Sequence, residues 1–231
     1  MIEEPPRLTI NDARKRPSPE QIAGFQGVPT GFVVDAMFGQ GAMGAQIAPI
    51  GFGRDIDCVA AGPALTAGNR ASDIMGTLAA LNFLQEGDIL VAAFEGHQGC
   101  AAAGDRVSAM IRNCGGVGFV TDGPMRDYAG IVEVGLPCWC TGLTPASPFT
   151  SGPASVGMPI QIGGLRVESG DMIVADRDGV VVVPFAQIEA VLSRIDAVRS
   201  AEEALDAELA GGLRYPEGVA ALIEGDDVQR V

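Results

Sequence analysis

Residues 103 to 127 read Ala103-Gly-Asp-Arg-Val-Ser108, six further residues, then Gly115-Gly-Val-Gly-Phe-Val-Thr-Asp-Gly-Pro-Met-Arg-Asp127. The segment sets twenty residues between the carboxylate of Asp105 and the contiguous pair Arg126-Asp127. That spacing fits a helix, then a strand, then a loop. Residues 104 to 114 carry helical periodicity, and the apolar run over 116 to 121 reads as a buried strand opening into an Asp122-Gly123-Pro124 turn. Both ends of the segment are thereby brought to one edge of a sheet.

The residue types suit a small anion and a divalent cation. Amides at the start of a helix point at negative charge, an arginine offers a bidentate fork to a carboxylate, and aspartates supply hard oxygens for Mg²⁺. The plain alternative is a surface ion pair at Arg126-Asp127 and a capping residue at Asp105, since Asp is common at helix starts.

The frame Gly-Asp-Arg-Val followed by Gly-Gly-Val-Gly-Phe-Val-Thr-Asp-Gly-Pro-Met-Arg-Asp resembles the signature of the RraA-like family. That family holds 4-hydroxy-4-methyl-2-oxoglutarate aldolases that also decarboxylate oxaloacetate, and the regulator of ribonuclease E activity. Supporting segments begin at Ala60, Glu86, Gly142 and Gly170, so the resemblance spans roughly residues 25 to 190. It implies that Gly104, Asp105, Arg106 and Val107 form a substrate-binding loop, that Arg126 binds substrate, and that Asp127 belongs to a metal site for Mg²⁺ or Mn²⁺. Arg126 and Asp105 are the expected catalytic residues. Family enzymes follow Arg-Asp with two residues and an acid, whereas Tyr128 and Ala129 here lead to Gly130. Asp122, Glu133 or Glu95 are candidate substitutes.

The resemblance further implies an α/β/α sandwich of the swivelling β/β/α type, assembled as a homotrimer or hexamer with its site between subunits. The expected activity is metal-dependent carbon–carbon cleavage of a 2-oxo acid through a pyruvate enolate. A non-catalytic regulatory protein of the RraA type is the alternative. Lys15 is the chain's only lysine, which argues against Schiff-base chemistry in a buried pocket.

Composition sets the outer bounds. The chain of 231 residues is 47% hydrophobic and 19% charged, with 32 glycines and 5% aromatics, as suits one α/β domain with many tight turns. Its net charge of −14 argues against nucleic-acid binding, which needs clustered cations. The N-terminal residues lack the pattern of a signal peptide and no apolar run spans a bilayer, so no membrane association and a cytoplasmic location are expected. Five cysteines without Cys-x-x-Cys spacing read as free thiols. His97 is the only histidine and lacks partners at metal-ligand spacing.

Residues 1 to 17 read as an extended arm, 18 to 212 as a single α/β domain and 213 to 231 as a tail. Ser18-Pro19-Glu20-Gln21 signals a capped helix. Further helices are expected at 30–38, 72–84, 127–134 and, as a long amphipathic helix, 185–209, with one more turn at 219–223. Strands are expected between residues 46 and 66 and at 87–92, 136–141, 170–175 and 180–184. The last is apolar throughout, as in a sheet covered on both faces. Gly87-Asp88 and Gly170-Asp171 each launch an apolar run and suggest an internal repeat. Asp55 and Asp57 have strand spacing, Asp176 to Gly179 reads as a hairpin turn, and residues 145 to 158 as a loop near the site.

Overall fold

The computed structural model describes residues 6–225 and 228–230. Eleven strands and seven helices are resolved among them. In chain order these are β1 (Leu8–Ile10), α1 (Pro19–Gly24), α2 (Thr30–Ala36), β2 (Ala48–Pro49), β3 (Ala60–Gly68), α3 (Met75–Ala80), β4 (Ile89–Ala93), α4 (Asp105–Asn113), β5 (Gly118–Thr121) and α5 (Tyr128–Val134). There follow β6 (Cys138–Cys140), β7 (Ala154–Val156), β8 (Ile160–Ile162), β9 (Leu165–Val167), β10 (Met172–Ala175), β11 (Val180–Val183), α6 (Ile188–Ala210) and α7 (Glu217–Glu224).

The longest strand, β3, organises the sheet. Its first half pairs antiparallel with β10, from Ala60 opposite Ala175 to Pro63 opposite Met172. Its second half, from Ala64, pairs parallel with β4. Pro63 stands at the change of partner, where a residue without an N–H costs the ladder least. Beyond β4 the parallel order continues through β5 and β6. Helices α3, α4 and α5 supply the crossovers, as parallel pairing requires.

Two large apolar cores result, with a smaller cluster of Ile74, Phe94, Cys100 and Ala102 under the loop that leaves β4. One lies around β3–β6, with Leu65, Leu90, Phe119 and Trp139 fully buried. The other joins the β10–β11 hairpin to α1, α2 and α6 through Phe25, Val33, Val181 and Val191. The expected mixed α/β sandwich is present. Only the first turns of α6 are buried, at Ile188, Val191 and Ile195. No described helix is long and apolar enough to cross a membrane.

Local signals account for several elements. Ser18 caps α1 through a complete capping box with Gln21. Helix α2 starts after Pro29, which has no capping side chain, and is capped instead by Asp176, whose carboxylate accepts from the Thr30 amide at 2.9 Å and hydroxyl at 2.8 Å. The turn at residues 176–179 does close the β10–β11 hairpin.

Other expectations change. The helix expected at 72–84 is confined to α3 and a 3₁₀ turn at Leu81–Phe83, because Ser72 adopts a left-handed conformation that no helix can include. Residues 55 and 57 lie outside any strand, and Asp55 instead accepts from the Tyr128 hydroxyl at 2.6 Å. The loop at 145–158 contains β7, and the β8–β9 hairpin lies where no strand was expected. The two Gly-Asp turns share a geometry. Asp88 and Asp171 each accept from the amide three residues earlier, with positive φ at Gly87 and Gly170. Yet β4 runs parallel and β10 antiparallel to β3, so the pattern is a recurrent turn rather than a duplicated unit.

The N-terminal segment is extended as expected, but it is bound firmly to the body. Strand β1 pairs with β7. Arg14 and Arg16 both engage Asp88, whose side chain is 0% exposed, Arg14 at 2.5 Å. Removing one partner of such a buried cluster leaves charge without compensation. Asp88→Asn should therefore lower unfolding free energy by roughly 3–5 kcal/mol, read from urea denaturation, and should loosen residues 8 to 16 to proteolysis. A change below about 1 kcal/mol would show that the strap is held otherwise.

Burial also pushes the Cys140 thiol up to about 11. Its proton is held in the folded state after unfolded thiols have ionised, so the unfolded state binds fewer protons in between. Stability should consequently fall as pH rises from about 9 to about 11, and Cys140→Ser should make that part of a denaturation-against-pH profile less steep, the remaining slope coming from the Cys138 and Cys58 thiols that burial also raises.

Candidate functional site

Strands β4, β5 and β6 end on the same side, and their exit loops form one cluster, as expected outside the carboxyl ends of parallel strands. Backbone bonds continue the pairing beyond the strands. The Ala102 amide donates to Pro124 at 2.7 Å, Arg126 to Ala103 at 3.0 Å, Met125 to Gly142 at 2.9 Å and Thr144 to Met125 at 2.9 Å. Residues 103, 125 and 143 are thereby held in parallel register.

All six residues singled out from sequence line a cavity of about 360 Å³: Gly104, Asp105, Arg106, Val107, Arg126 and Asp127. Gly104 precedes α4 as its N-cap, and the first amides of that helix have no intrahelical acceptor. Asp105 turns one oxygen back onto the Arg106 amide at 2.6 Å. Arg126 reaches Ser147 at 2.6 Å and lies 3.3 Å from Asp127, with the two side chains 36% and 46% exposed.

Asp127 occupies the N-cap position of α5 without capping it. Its backbone is left-handed, with φ 59° and ψ 46°, and its carboxylate makes no hydrogen bond to the helix. Aspartate tolerates this conformation better than most residues, at a cost on the order of 1 kcal/mol or more. The strain turns the carboxylate away from the helix and toward the cavity. The plain reading of Arg126-Asp127 as an ion pair is met at 3.3 Å, while the N-cap of α4 is Gly104 and Asp105 is the first residue of that helix.

Close packing fixes the site further. A Cβ at Gly104 would lie 2.6 Å from an Asp127 carboxylate oxygen and 3.0 Å from Arg126 Cγ, so a side chain there would displace both. A Cβ at Gly130 would lie 2.7 Å from Asp105 Cβ and 2.6 Å from its carboxylate oxygen. The space beside residue 130 is therefore filled by Asp105.

The candidate substitutes for an acid at 130 lie elsewhere. Asp122 accepts from the amides of Phe94 at 2.5 Å and Gly96 at 2.9 Å, tying two exit loops together, and burial raises its pKa. Glu95 pairs with Arg70 at 3.2 Å and the Ala71 amide at 3.1 Å. Glu133 is exposed on α5. None lines the cavity. His97 also stands apart and bonds the Ser72 hydroxyl at 2.8 Å, a contact with no local signal in the chain. Tyr128, which no motif marks, is a neighbour of the site; its hydroxyl bond to Asp55 raises its pKa.

The contact between Gly130 and Asp105 reverses a common rule. Gly→Ala inside a helix ordinarily stabilises by roughly 0.5–1 kcal/mol. Here Gly130→Ala should destabilise, by about 1–2 kcal/mol, through overpacking against Asp105. In an Asp105→Gly background the same change should become stabilising, and thermal unfolding of the four proteins would detect the sign change. Equal effects in both backgrounds would remove the contact.

The profile of the RraA-like family, described as Aldolase/RraA, matches residues 30–182. A Halalkalibacterium halodurans protein, provisionally named 4-hydroxy-4-methyl-2-oxoglutarate aldolase, is 33% identical over 183 residues, 79% of this chain and 85% of its own length. An Alkalilimnicola ehrlichii protein of the same provisional name is 29% identical over 46% of this chain and 65% of its own. Among solved structures, Streptomyces coelicolor RraAS2, described as an unusual member of the RNase ES inhibitor RraA protein family, superposes with a TM-score of 0.71. It is 26% identical, covering 84% of this chain and all of its own. An uncharacterized Pseudomonas syringae protein shares the fold with a TM-score of 0.74 at 21% identity, covering 86% and 92% of the two chains. With its profile matched across most of the domain and the same fold recovered, the chain belongs to the RraA-like family.

Proposed function

We propose that the protein is a carbon–carbon lyase acting on a 2-oxo acid, as a 4-hydroxy-2-oxo acid aldolase, an oxaloacetate decarboxylase or both. The observation that carries this reading is the convergence of an uncapped helix start, Arg126 and two aspartates on one cavity. The provisional names of the relatives support it. The substrate carboxylate is matched by the amides that open α4 and by the guanidinium of Arg126.

The cavity's donors fit a hard divalent cation better than a soft one. Among the described residues no group of three or more His, Cys, Asp or Glu is placed to hold a metal, which disfavours a zinc-type site. Asp127 offers a half-exposed carboxylate with no capping duty, which suits Mg²⁺ or Mn²⁺, ions that retain water and bind through one or two carboxylates. Bound there, such a cation would stabilise negative charge on the keto oxygen.

The chain's own residues do the rest. Asp105 accepts the proton of the C4 hydroxyl as the C3–C4 bond breaks, and the electron pair of that bond passes to the C2–C3 unit as an enolate. The carbonyl fragment leaves, and the proton returns to C3 to give pyruvate. With oxaloacetate the leaving fragment is carbon dioxide and the proton comes from solvent. Arg126, held by Ser147 and Asp127, is oriented before charge develops, which is where such donors contribute most.

A closed homotrimer or hexamer is part of the proposal. The exposed aromatics Phe38, Phe52 and Phe149, at 79%, 73% and 70%, support it by offering apolar surface to a neighbour. The regulatory reading is favoured by one observation, the absence of an acid at Gly130, and by the RNase ES inhibitor family named for the Streptomyces relative.

Pyruvate release from oxaloacetate or a 4-hydroxy-2-oxo acid is expected with Mg²⁺ or Mn²⁺ and should stop in excess EDTA. Arg126→Lys should lower kcat/KM by about 10²–10³, since an ammonium cannot reproduce the planar fork. Full activity in EDTA would overturn the metal requirement. Inactivity of the folded protein on every such acid would favour the regulator.

A further inference from the structure

The cavity is bordered by two arginines in different circumstances. Arg126 bonds Ser147 at 2.6 Å and lies 3.3 Å from Asp127. Arg106 lines the same space and gives its backbone amide to Asp105. Its guanidinium makes neither a hydrogen bond nor an ion pair among the described residues, although Asp105 and Asp127 border the cavity too. Resting on the 2-oxo acid reading above, we infer that the Arg106 side chain binds a second carboxylate at the far end of the substrate, and so makes the site selective for 2-oxo diacids over 2-oxo monoacids.

The place of Arg106 in its helix is the first support. It is the second residue of α4, and helical side chains lean back toward the helix start. Its guanidinium is thereby carried toward the uncapped amides that match the first carboxylate. A cation there is opposed by the helix dipole, which favours acids in the first turn and bases in the last. Arg112, in the last turn of α4, follows that rule, and Arg106 breaks it. An anion bound at the helix start removes the conflict, and departures from local preference are expected where a ligand binds.

Charge is the second support. Arg126 and the α4 amides are matched to the carboxylate next to the keto group, which leaves Arg106 as the remaining cation of the cavity. The two arginines offset Asp105 and Asp127, so a divalent cation on Asp127 brings two further positive charges. A dianion neutralises both, whereas a monoanion leaves one. The volume of about 360 Å³ lies in the range of small-ligand sites and admits a diacid of five or six carbons.

The test is calorimetric binding of two unreactive acids, 2-oxoglutarate and 2-oxopentanoate, to the full chain in Mg²⁺. They have the same chain length and differ in ending on a carboxylate or a methyl group. 2-Oxoglutarate should bind about 10- to 100-fold more tightly, as one charge-assisted pair provides, and added NaCl should narrow the gap. In Arg106→Leu the gap should close to about threefold or less. Arg106→Lys should keep part of it, because an ammonium retains the charge but loses the fork. Thermal unfolding verifies that both variants fold, as expected of good helix formers at an exposed position. Equal binding of the two acids by the unmodified chain, or a gap that survives Arg106→Leu, would overturn the inference and leave the 2-oxo acid site standing. Failure of both acids and of pyruvate to bind would overturn that reading as well.

Discussion

Everything at the site hangs on a short backbone ladder. The loops leaving β4, β5 and β6 would diverge if each merely turned back into its crossover helix. Instead the Ala102, Met125, Arg126 and Thr144 amides all find carbonyl partners on the neighbouring loop. A loop with unpaired polar backbone could not lie against a buried core such as that around Phe94 and Met125. The ladder therefore solves a hydrogen-bonding problem and, in doing so, sets Ala103, Met125 and Leu143 in register, with Asp105 and Arg126 just beyond the first two. Asp122 reinforces it by bonding Phe94 and Gly96.

On that frame, the functional groups are set by space and strain as much as by charge. Gly104 and Gly130 leave room for the side chains of Asp127 and Asp105, and a methyl group at either position would push a carboxylate aside. Asp127 holds a left-handed backbone that frees its carboxylate from the helix it precedes. The missing acid at residue 130 is thus accompanied by a compensating occupancy: Asp105 lies where that side chain would start.

Long-range polar contacts tie the body together. The N-terminal segment closes over Asp88 with two arginines, and Asp176 caps a helix 146 residues before it. Each satisfies a buried or terminal group that local sequence leaves open. Together they join the two cores across the strand they share, β3.

Sequence alone determined the elements whose signals are local. Ser18 to Gln21 specify the start of α1, the apolar runs specify β4, β5, β10 and β11, and the Asp-Gly turn closes the last hairpin, because capping, burial and turn chemistry act within a few residues. The spacing from Asp105 to Arg126 and Asp127 likewise brought three of the six cavity residues together, since a helix and strand of known length must return to one sheet edge, and the family resemblance added Gly104, Arg106 and Val107. Tertiary structure decided the rest. The extent of α3, the strand within 145–158, the β8–β9 hairpin and the attachment of the N-terminal arm depend on partners distant in the chain. So do the contact of Gly130 with Asp105 and the pairing of His97 with Ser72. Spacing fixes which edge a residue reaches, but only packing fixes which neighbour it meets there.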